Sequence, residues 1–338
     1  MKASFPSDFP KKGLALLPKF QRLNLMVAGD LVADESLVGV TERISREAPV
    51  LILRYSHSQM TLGGAGNAAN NAVDLGARVF PLSVLGEDEP GRCLMQCFRN
   101  KRVDTGGIVT VAHRATSIKT RILAGAHHTA KQQVIRIDRV EDTEVSRMTA
   151  KKLITRMTAL APRMDALLIS DYQLGVLTEA VRRALMSEFA GKVIVVDSRF
   201  NLPDYKGVTL ITPNVAEAGP AAGVEIVDDP SLLKAGRILR EKLNCQVLIT
   251  RGPHGMSLFD DEGRVKHLPV FGVDQPVDPT GAGDTVAAAV TLGLAAGADL
   301  PLAASVATVA GGLVVAKRGT VTVTREELSK ALHQIVAR

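Results

Sequence analysis

The chain has 338 residues, 46% apolar and 22% charged: enough apolar content for a packed core and too little charge for a disordered chain. Its net charge of +6 comes without a dense Lys/Arg run, with no Trp and only three Tyr, which argues against nucleic acid as a partner. Three cysteines (Cys93, Cys97, Cys245) argue against a disulfide framework and for a reducing compartment, and no stretch has the length of an uncharged membrane span.

Residues 1–22 are broken by prolines and read as an N-terminal leader before a single domain over 23–338. "RLNLMVAGD" is a buried strand that ends at Gly29 and Asp30. The next thirty residues show β-type runs without helical period. "NAANNAVDLGA" is a helix with Gly76 as its stop signal, "RVFPLSVLG" a strand and "EPGRCLMQCFRN" a helix. "TSIKTRILAGAHHTAKQQVIRIDR" reads as two strands around a polar turn, where His127 and His128 are solvated turn residues, not metal ligands. From Ser146 onward short apolar strands ("ALLIS", "KVIVVD", "GVTLIT", "CQVLIT") alternate with amphipathic helices. "GMSLFD" and "GRVKHLPV" form a hairpin, and long helices follow "TGAGD". This rhythm predicts an α/β fold with a mostly parallel central sheet covered by helices on both faces. The two β excursions, about 31–62 and 108–140, break the rhythm and together predict a small β-sheet lid inserted into the domain.

In open parallel sheets ligands bind beyond the carboxyl ends of the strands. Gly29-Asp30, Ser170-Asp171, Asp197-Ser198-Arg199, Thr212-Pro213-Asn214 and Thr250-Arg251-Gly252 all fall at such ends. In "DPTGAGDT", Gly281 and Gly283 let the backbone turn its N–H groups inward just before a helix, which makes an anion hole for a phosphoryl group. A carboxylate there, Asp284, suits proton abstraction from an attacking hydroxyl; a glycine turn with an aspartate cap is the plainer alternative. In "GGAGNAANNA", Gly63 and Gly64 permit close approach of a ligand, and Asn67 offers a donor and an acceptor to a polyol. In "TPNVAEA", Asn214 and Glu217 stand i, i+3 at a helix start, a spacing that fits either hydrated Mg²⁺ or an N-capping pair. Asp171 either touches substrate or caps a helix. Lys119 and Arg121, two apart on one strand, share a face as a phosphate clamp or as a solvated surface; Arg43 and Arg136 are further cations of the lid segments. The Walker GxxxxGK[ST] and the protein-kinase motifs are absent.

"GGAGNAANNAVDLGA", "NVAE" and "DPTGAGD", in that order, resemble the signature regions of the ribokinase/PfkB carbohydrate kinases from Leu25 to about Arg318. "RISREAPVLI", "QQVIRIDR", "SDYQLGVL" and "YKGVTLITPNVAEA" are similar to the heptose 7-phosphate kinases of lipopolysaccharide core synthesis, which often carry a fused nucleotidyltransferase; the length of this chain suggests the stand-alone kinase form. The resemblance implies a ribokinase-like fold and a cytoplasmic, ATP- and Mg²⁺-dependent enzyme that phosphorylates O1 of D-glycero-D-manno-heptose 7-phosphate. It implies Asp284 as base and Gly281, Ala282 and Gly283 as anion hole; Asn214 and Glu217 would organise Mg²⁺ through waters. Arg199, Thr250, Gly252 and Gly255 would serve ATP, and Asp30, Gly63, Gly64 and Asn67 the sugar. Two departures stand out: Ser198-Arg199-Phe200 replaces the family's Pro-Lys-Gly, and Leu174 replaces a lysine. Similar kinases pair their lids, so a homodimer is expected. Another PfkB-type sugar kinase or a silent sugar-binding regulator are the alternatives; scarce aromatics argue against a nucleoside acceptor, and the intact Gly-Ala-Gly-Asp argues against a silent sensor.

Overall fold

Leu25 and Val27 of strand β1 (Asn24–Gly29) join one hydrophobic cluster and Met26 and Ala28 the other, and all four are buried. Strand side chains alternate between faces, so an unbroken apolar strand must be covered on both sides. β8 (Ala166–Asp171) repeats the pattern, with Ala166 and Leu168 in one cluster and Leu167 and Ile169 in the other. The structure, a computed structural model, describes residues 3–126, 131–272 and 277–336. His127 and His128 lie outside the described residues.

Among the described residues the main sheet has nine strands in the order β13-β12-β11-β10-β9-β8-β1-β4-β5. β4 (Arg78–Gly86), β5 (Ile108–Val111), β9 (Val193–Ser198), β10 (Leu210–Ile211) and β11 (Gln246–Thr250) run parallel with β1 and β8. β12 (Met256–Phe259) and β13 (Val265–Leu268) form the expected antiparallel hairpin. One face packs against α1 (Phe9–Phe20), α2 (Ala65–Asp74), α3 (Glu89–Asn100), α8 (Ala282–Ala295), α9 (Leu300–Val315) and α10 (Arg325–Val336). The other carries α4 (Arg147–Leu160), α5 (Glu179–Glu188), α6 (Val215–Ala222) and α7 (Asp229–Leu243). The apolar run of α8 is a core helix: a side chain at Gly293 would stand 2.8 Å from the Ala303 Cβ, so small residues let α8 and α9 pack closely. Among the described residues no helix is long and apolar enough to cross a membrane.

Among the described residues four strands make the separate small sheet, in the order β3-β2-β6-β7: β2 (Leu31–Ile44), β3 (Leu51–Gly64), β6 (Ile118–Gly125) and β7 (Gln132–Arg139). Two expectations need correction. Residues 108–111 are β5 and extend the main sheet beside β4, so the second part of the small sheet begins at Ile118. Residues 9–20, assigned to the leader, form α1, with Phe9, Leu16, Leu17 and Phe20 buried in the core. Pro10 falls in the first turn, where its missing N–H costs no bond, whereas Pro18 lies inside the helix and removes one bond from its last turn.

Candidate active site

The carboxyl ends of β8, β9, β10 and β11, the amino end of α8 and one wall of the small sheet enclose a cleft of about 310 Å³. Its lining includes Asp171, Tyr172, Asp197, Arg199, Asn214, Glu217, Thr250, Gly281, Gly283 and Asp284, with Lys119, Arg121 and Arg136 from β6 and β7. The structure thus brings together most of the residues singled out in the sequence. Asp30, Gly63, Gly64, Asn67, Gly252, Gly255 and Ala282 do not line it.

Asp284 sits in the first turn of α8 and is 5% exposed. Its Oδ2 accepts a hydrogen bond from Asn67 Nδ2 at 2.7 Å and its Oδ1 one from the Tyr172 hydroxyl at 2.9 Å. Burial pushes its pKa up to about 6, against both hydrogen bonds, which favour the charged form. Gly281 caps α8 with φ +77°, and the helix has no side-chain cap. A side chain at Gly281 would stand 2.5 Å from Asn67 Nδ2, so a glycine is required twice over. The Ala282 amide donates to the Pro279 carbonyl at 3.2 Å. Ala282, expected in the anion hole, opens α8 with its amide taken by that bond, and Gly281 and Gly283 are the glycines that face the cleft.

Asn67 is fully buried; its Nδ2 reaches Asp284 and its Oδ1 accepts from Asn71, which in turn accepts from the Thr285 hydroxyl. It orients Asp284 and has no face toward a polyol, contrary to the expectation. Asp30 is also buried: its carboxylate accepts from the backbone amides of Tyr172, Leu174 and Val176 at 2.9, 3.2 and 3.3 Å. Burial raises its pKa to about 6 despite these amides. Asp30 thus shapes the loop after β8 and is not available to a sugar. Asp171 does the same for two loops, accepting from the Gln173 amide, the Tyr205 hydroxyl and the Asn201 amide side chain; it neither caps a helix nor presents a free carboxylate.

An acid on the small sheet itself is Asp34 of β2, which no motif in the sequence marks. It is buried, pairs with Arg121 at 2.8 Å and accepts from the Thr320 hydroxyl at 2.7 Å. Tyr172, quoted within "SDYQLGVL" but assigned no role, is a second omission: Arg199 lies over its ring at 4.9 Å and Lys119 at 5.1 Å. Arg121 and Arg136 are directly opposite one another across β6 and β7, a repulsive pairing, and Arg136 leans on Asp138. Burial and nearby Arg199 lower the Lys119 pKa.

Asn214 and Glu217 form a reciprocal capping box on α6, with N–H to carboxylate and N–H to amide distances of 2.9 and 3.0 Å. The capping alternative is therefore realised, yet both side chains line the cleft. Burial raises the Glu217 pKa, and burial, then Asp284 and Glu217, push Asp197 well above the carboxylate range. Among the described residues no three His, Cys, Asp or Glu are grouped to hold a metal directly. Thr250 lines the cleft at the end of β11, and its amide donates to the Pro213 carbonyl. Gly252 (φ +56°) and Gly255 (φ +76°) shape the turn that follows it.

An α/β sheet whose strand ends, helix dipole and cationic wall converge on one acid is the frame of a phosphotransferase acting on a small hydroxyl compound. The chain belongs to the pfkB family of carbohydrate kinases, whose family profile matches residues 23–327. It is 40% identical over 322 residues to the bifunctional protein HldE of Pelobacter propionicus, covering 94% of this chain and 65% of that protein. It is 43% identical over 310 residues to the bifunctional protein HldE of Geobacter metallireducens, covering 90% and 62%. The chain thus spans slightly less than two-thirds of these curated relatives. Its fold is ribokinase-like. Arabidopsis thaliana ribokinase complexed with ribose and ATP superposes with a TM-score of 0.70 at 18% identity, covering 92% of this chain and 98% of that one. Escherichia coli phosphofructokinase-2 gives 0.72 at 18% identity, covering 93% and 99%.

Proposed function

We propose that this carbohydrate kinase transfers the γ-phosphoryl group of ATP to O1 of D-glycero-D-manno-heptose 7-phosphate, giving heptose 1,7-bisphosphate for ADP-heptose and lipopolysaccharide inner-core synthesis in the cytoplasm. The observation that carries this reading is the cationic wall. Lys119, Arg121, Arg136 and Arg199 line one cleft, two of them directly opposed, and an anionic acceptor relieves that repulsion. The likeness to heptose 7-phosphate kinases and the identity to HldE proteins support the same choice.

In this reading Asp284 Oδ1 takes the proton of the acceptor hydroxyl as its oxygen attacks the γ-phosphorus. The bond from that phosphorus to the β–γ bridging oxygen breaks, and ADP leaves with the electron pair. The amides at Gly281 and Gly283 and the amino end of α8 favour the charge that develops. The carboxylates of Asp197, Glu217 and Asp284 raise one another's proton affinity or suffer from burial, an environment that fits a divalent cation. Asn214 and Glu217 would hold Mg²⁺ through waters, and the ion would neutralise ATP phosphate charge.

The small sheet exposes Ile135 and Ile137 of β7 and Tyr55 of β3, and a face of this kind supports a homodimer through this sheet; sedimentation at micromolar concentration tests it, and a monomer would refute it. The central test is ADP release with heptose 7-phosphate, unphosphorylated heptose, fructose 6-phosphate and ribose. The reading expects heptose 7-phosphate to have much the highest kcat/KM; equal values for the two heptoses would overturn it.

A further inference from the structure

Both oxygens of Asp284 are occupied, and the two donors differ in kind. Asn67 is fully buried, locked to Asn71, and does not line the cleft. Tyr172 does line it, and its hydroxyl donates to Asp284 Oδ1. The phenol is held from three sides: its backbone amide is bound to Asp30 Oδ2, and its ring lies against Lys119 and Arg199. An acceptor hydroxyl that gives its proton to Oδ1 shares that oxygen with the phenol or displaces it.

We propose, on the reading that Asp284 is the base, that Tyr172 is a positioning residue that orients the Asp284 carboxylate, keeps it charged and shields it from water until an acceptor hydroxyl takes over its hydrogen bond. A hydrogen bond from a neutral phenol favours the charged carboxylate, which burial alone disfavours. Other groups also act on Asp284: Asp34 from β2 and Asp197 from β9 favour its protonated form, and Arg199 favours the charged one. Tyr172 cannot supply the proton itself, because burial and the neighbouring carboxylates raise its own pKa well above the usual range. The shielding has a chemical purpose. With Oδ1 open, water can attack the γ-phosphorus, give its proton to Asp284 and release ADP and inorganic phosphate. With the phenol in place, one lone pair of Oδ1 is taken and the space beside it is filled, so water reaches the oxygen less readily.

The ring's contacts with the cations make the hydroxyl separable from the ring. Tyr172→Phe removes only the oxygen and keeps the surfaces that Lys119 and Arg199 use. The experiment measures three quantities in wild type and Tyr172→Phe: ADP release without sugar, the acid limb of kcat/KM with the preferred sugar, and ATP affinity as a control for folding. The proposal expects about tenfold more sugar-independent hydrolysis and an acid limb moved up by about one pH unit or more, the scale of one hydrogen bond to a charged group. Sugar KM and ATP affinity should stay near wild type. Tyr172→Leu, which also removes the ring, should in addition raise KM for the sugar phosphate. An unchanged acid limb together with unchanged sugar-independent hydrolysis in Tyr172→Phe overturns the proposal. Failure of the underlying reading looks different: Asp284→Asn would then retain turnover, whatever Tyr172→Phe does.

Discussion

Lys119 is the cation best prepared to receive the substrate's phosphate, and the structure sets the size of its effect. Arg121 is already paired with Asp34 at 2.8 Å, and Arg136 with Asp138 at 2.9 Å. Among the described residues Lys119 makes no ion pair; its ammonium rests on the Tyr172 ring, and burial and Arg199 disfavour its charge. An incoming phosphate therefore gains a full charge-assisted bond from Lys119, whereas Arg121 must share with Asp34. Replacing Lys119 by Met keeps the stem and removes the charge. Such a bond is worth ~1.5–3 kcal/mol, or roughly 10- to 150-fold in the ratio of kcat/KM for heptose 7-phosphate over unphosphorylated heptose. Arg121→Ala should lower the same ratio less, because Arg121 already divides its hydrogen bonds between Asp34 and the phosphate. Steady-state kinetics with both sugars gives the two ratios. If Lys119→Met leaves the ratio untouched while Arg121→Ala abolishes it, the ranking by ion pairing is wrong.

The remaining consequences concern Asp284 and Glu217. Asp284→Asn should lower kcat by about 10²–10⁴-fold with ATP affinity little changed, and wild-type kcat/KM should fall as pH drops through about 6, where the carboxylate takes up its proton. The same variant makes a stability prediction. The folded carboxyl holds its proton more tightly than the unfolded one, so wild-type stability falls as pH rises from about 4 to about 6 and is level above. The Asn variant lacks that loss, so thermal melts should show it gaining on wild type by about 3 kcal/mol across the window; a constant gap would refute the burial argument. Glu217→Gln should raise the Mg²⁺ concentration needed for activity and change the melting temperature little, since an amide oxygen still accepts the Asn214 N–H. An unchanged Mg²⁺ titration would leave Glu217 with its cap alone.

What the sequence revealed and what it hid divide along the range of the contacts. Strands such as Arg78–Gly86 and helices such as Glu89–Asn100 coincide with their apolar runs, because period and capping are local. Asp284 was legible because its glycines and its helix are its chain neighbours. Asp30 follows a strand and matches a sugar-binding position of the family, yet three amides of the 172–176 loop take up its carboxylate. Asp34 was missed because its partners are Arg121 on β6 and Thr320 near the carboxyl end of the chain, and no local pattern announces those pairings. Tyr172 was hidden for the same reason, since its meaning lies in Asp284, Lys119 and Arg199.

Gly63 shows how a correct position can carry a different cause. The sequence reading kept it small for a ligand, but a Cβ there would lie 2.7 Å from Asp34 Cγ and 2.8 Å from its Oδ2. The glycine makes room for the Asp34 carboxylate, and through it for the orientation of Arg121 in the cleft wall. Gly63→Ala should therefore fold, because its φ lies outside the left-handed region, while Asp34 is pushed off its bonds to Arg121 and Thr320. With Arg121 no longer held in orientation in the cleft wall, KM for the sugar phosphate should rise about tenfold, the lower end for one charge-assisted bond, and KM for ATP should hold. The decisive measurement is a double-mutant cycle with Arg121→Ala. If Gly63 acts through Arg121, the double variant is little worse than Arg121→Ala alone. Fully additive losses would mean that the alanine disturbs the sugar directly, and the glycine would return to the ligand-contact role that its sequence context first suggested.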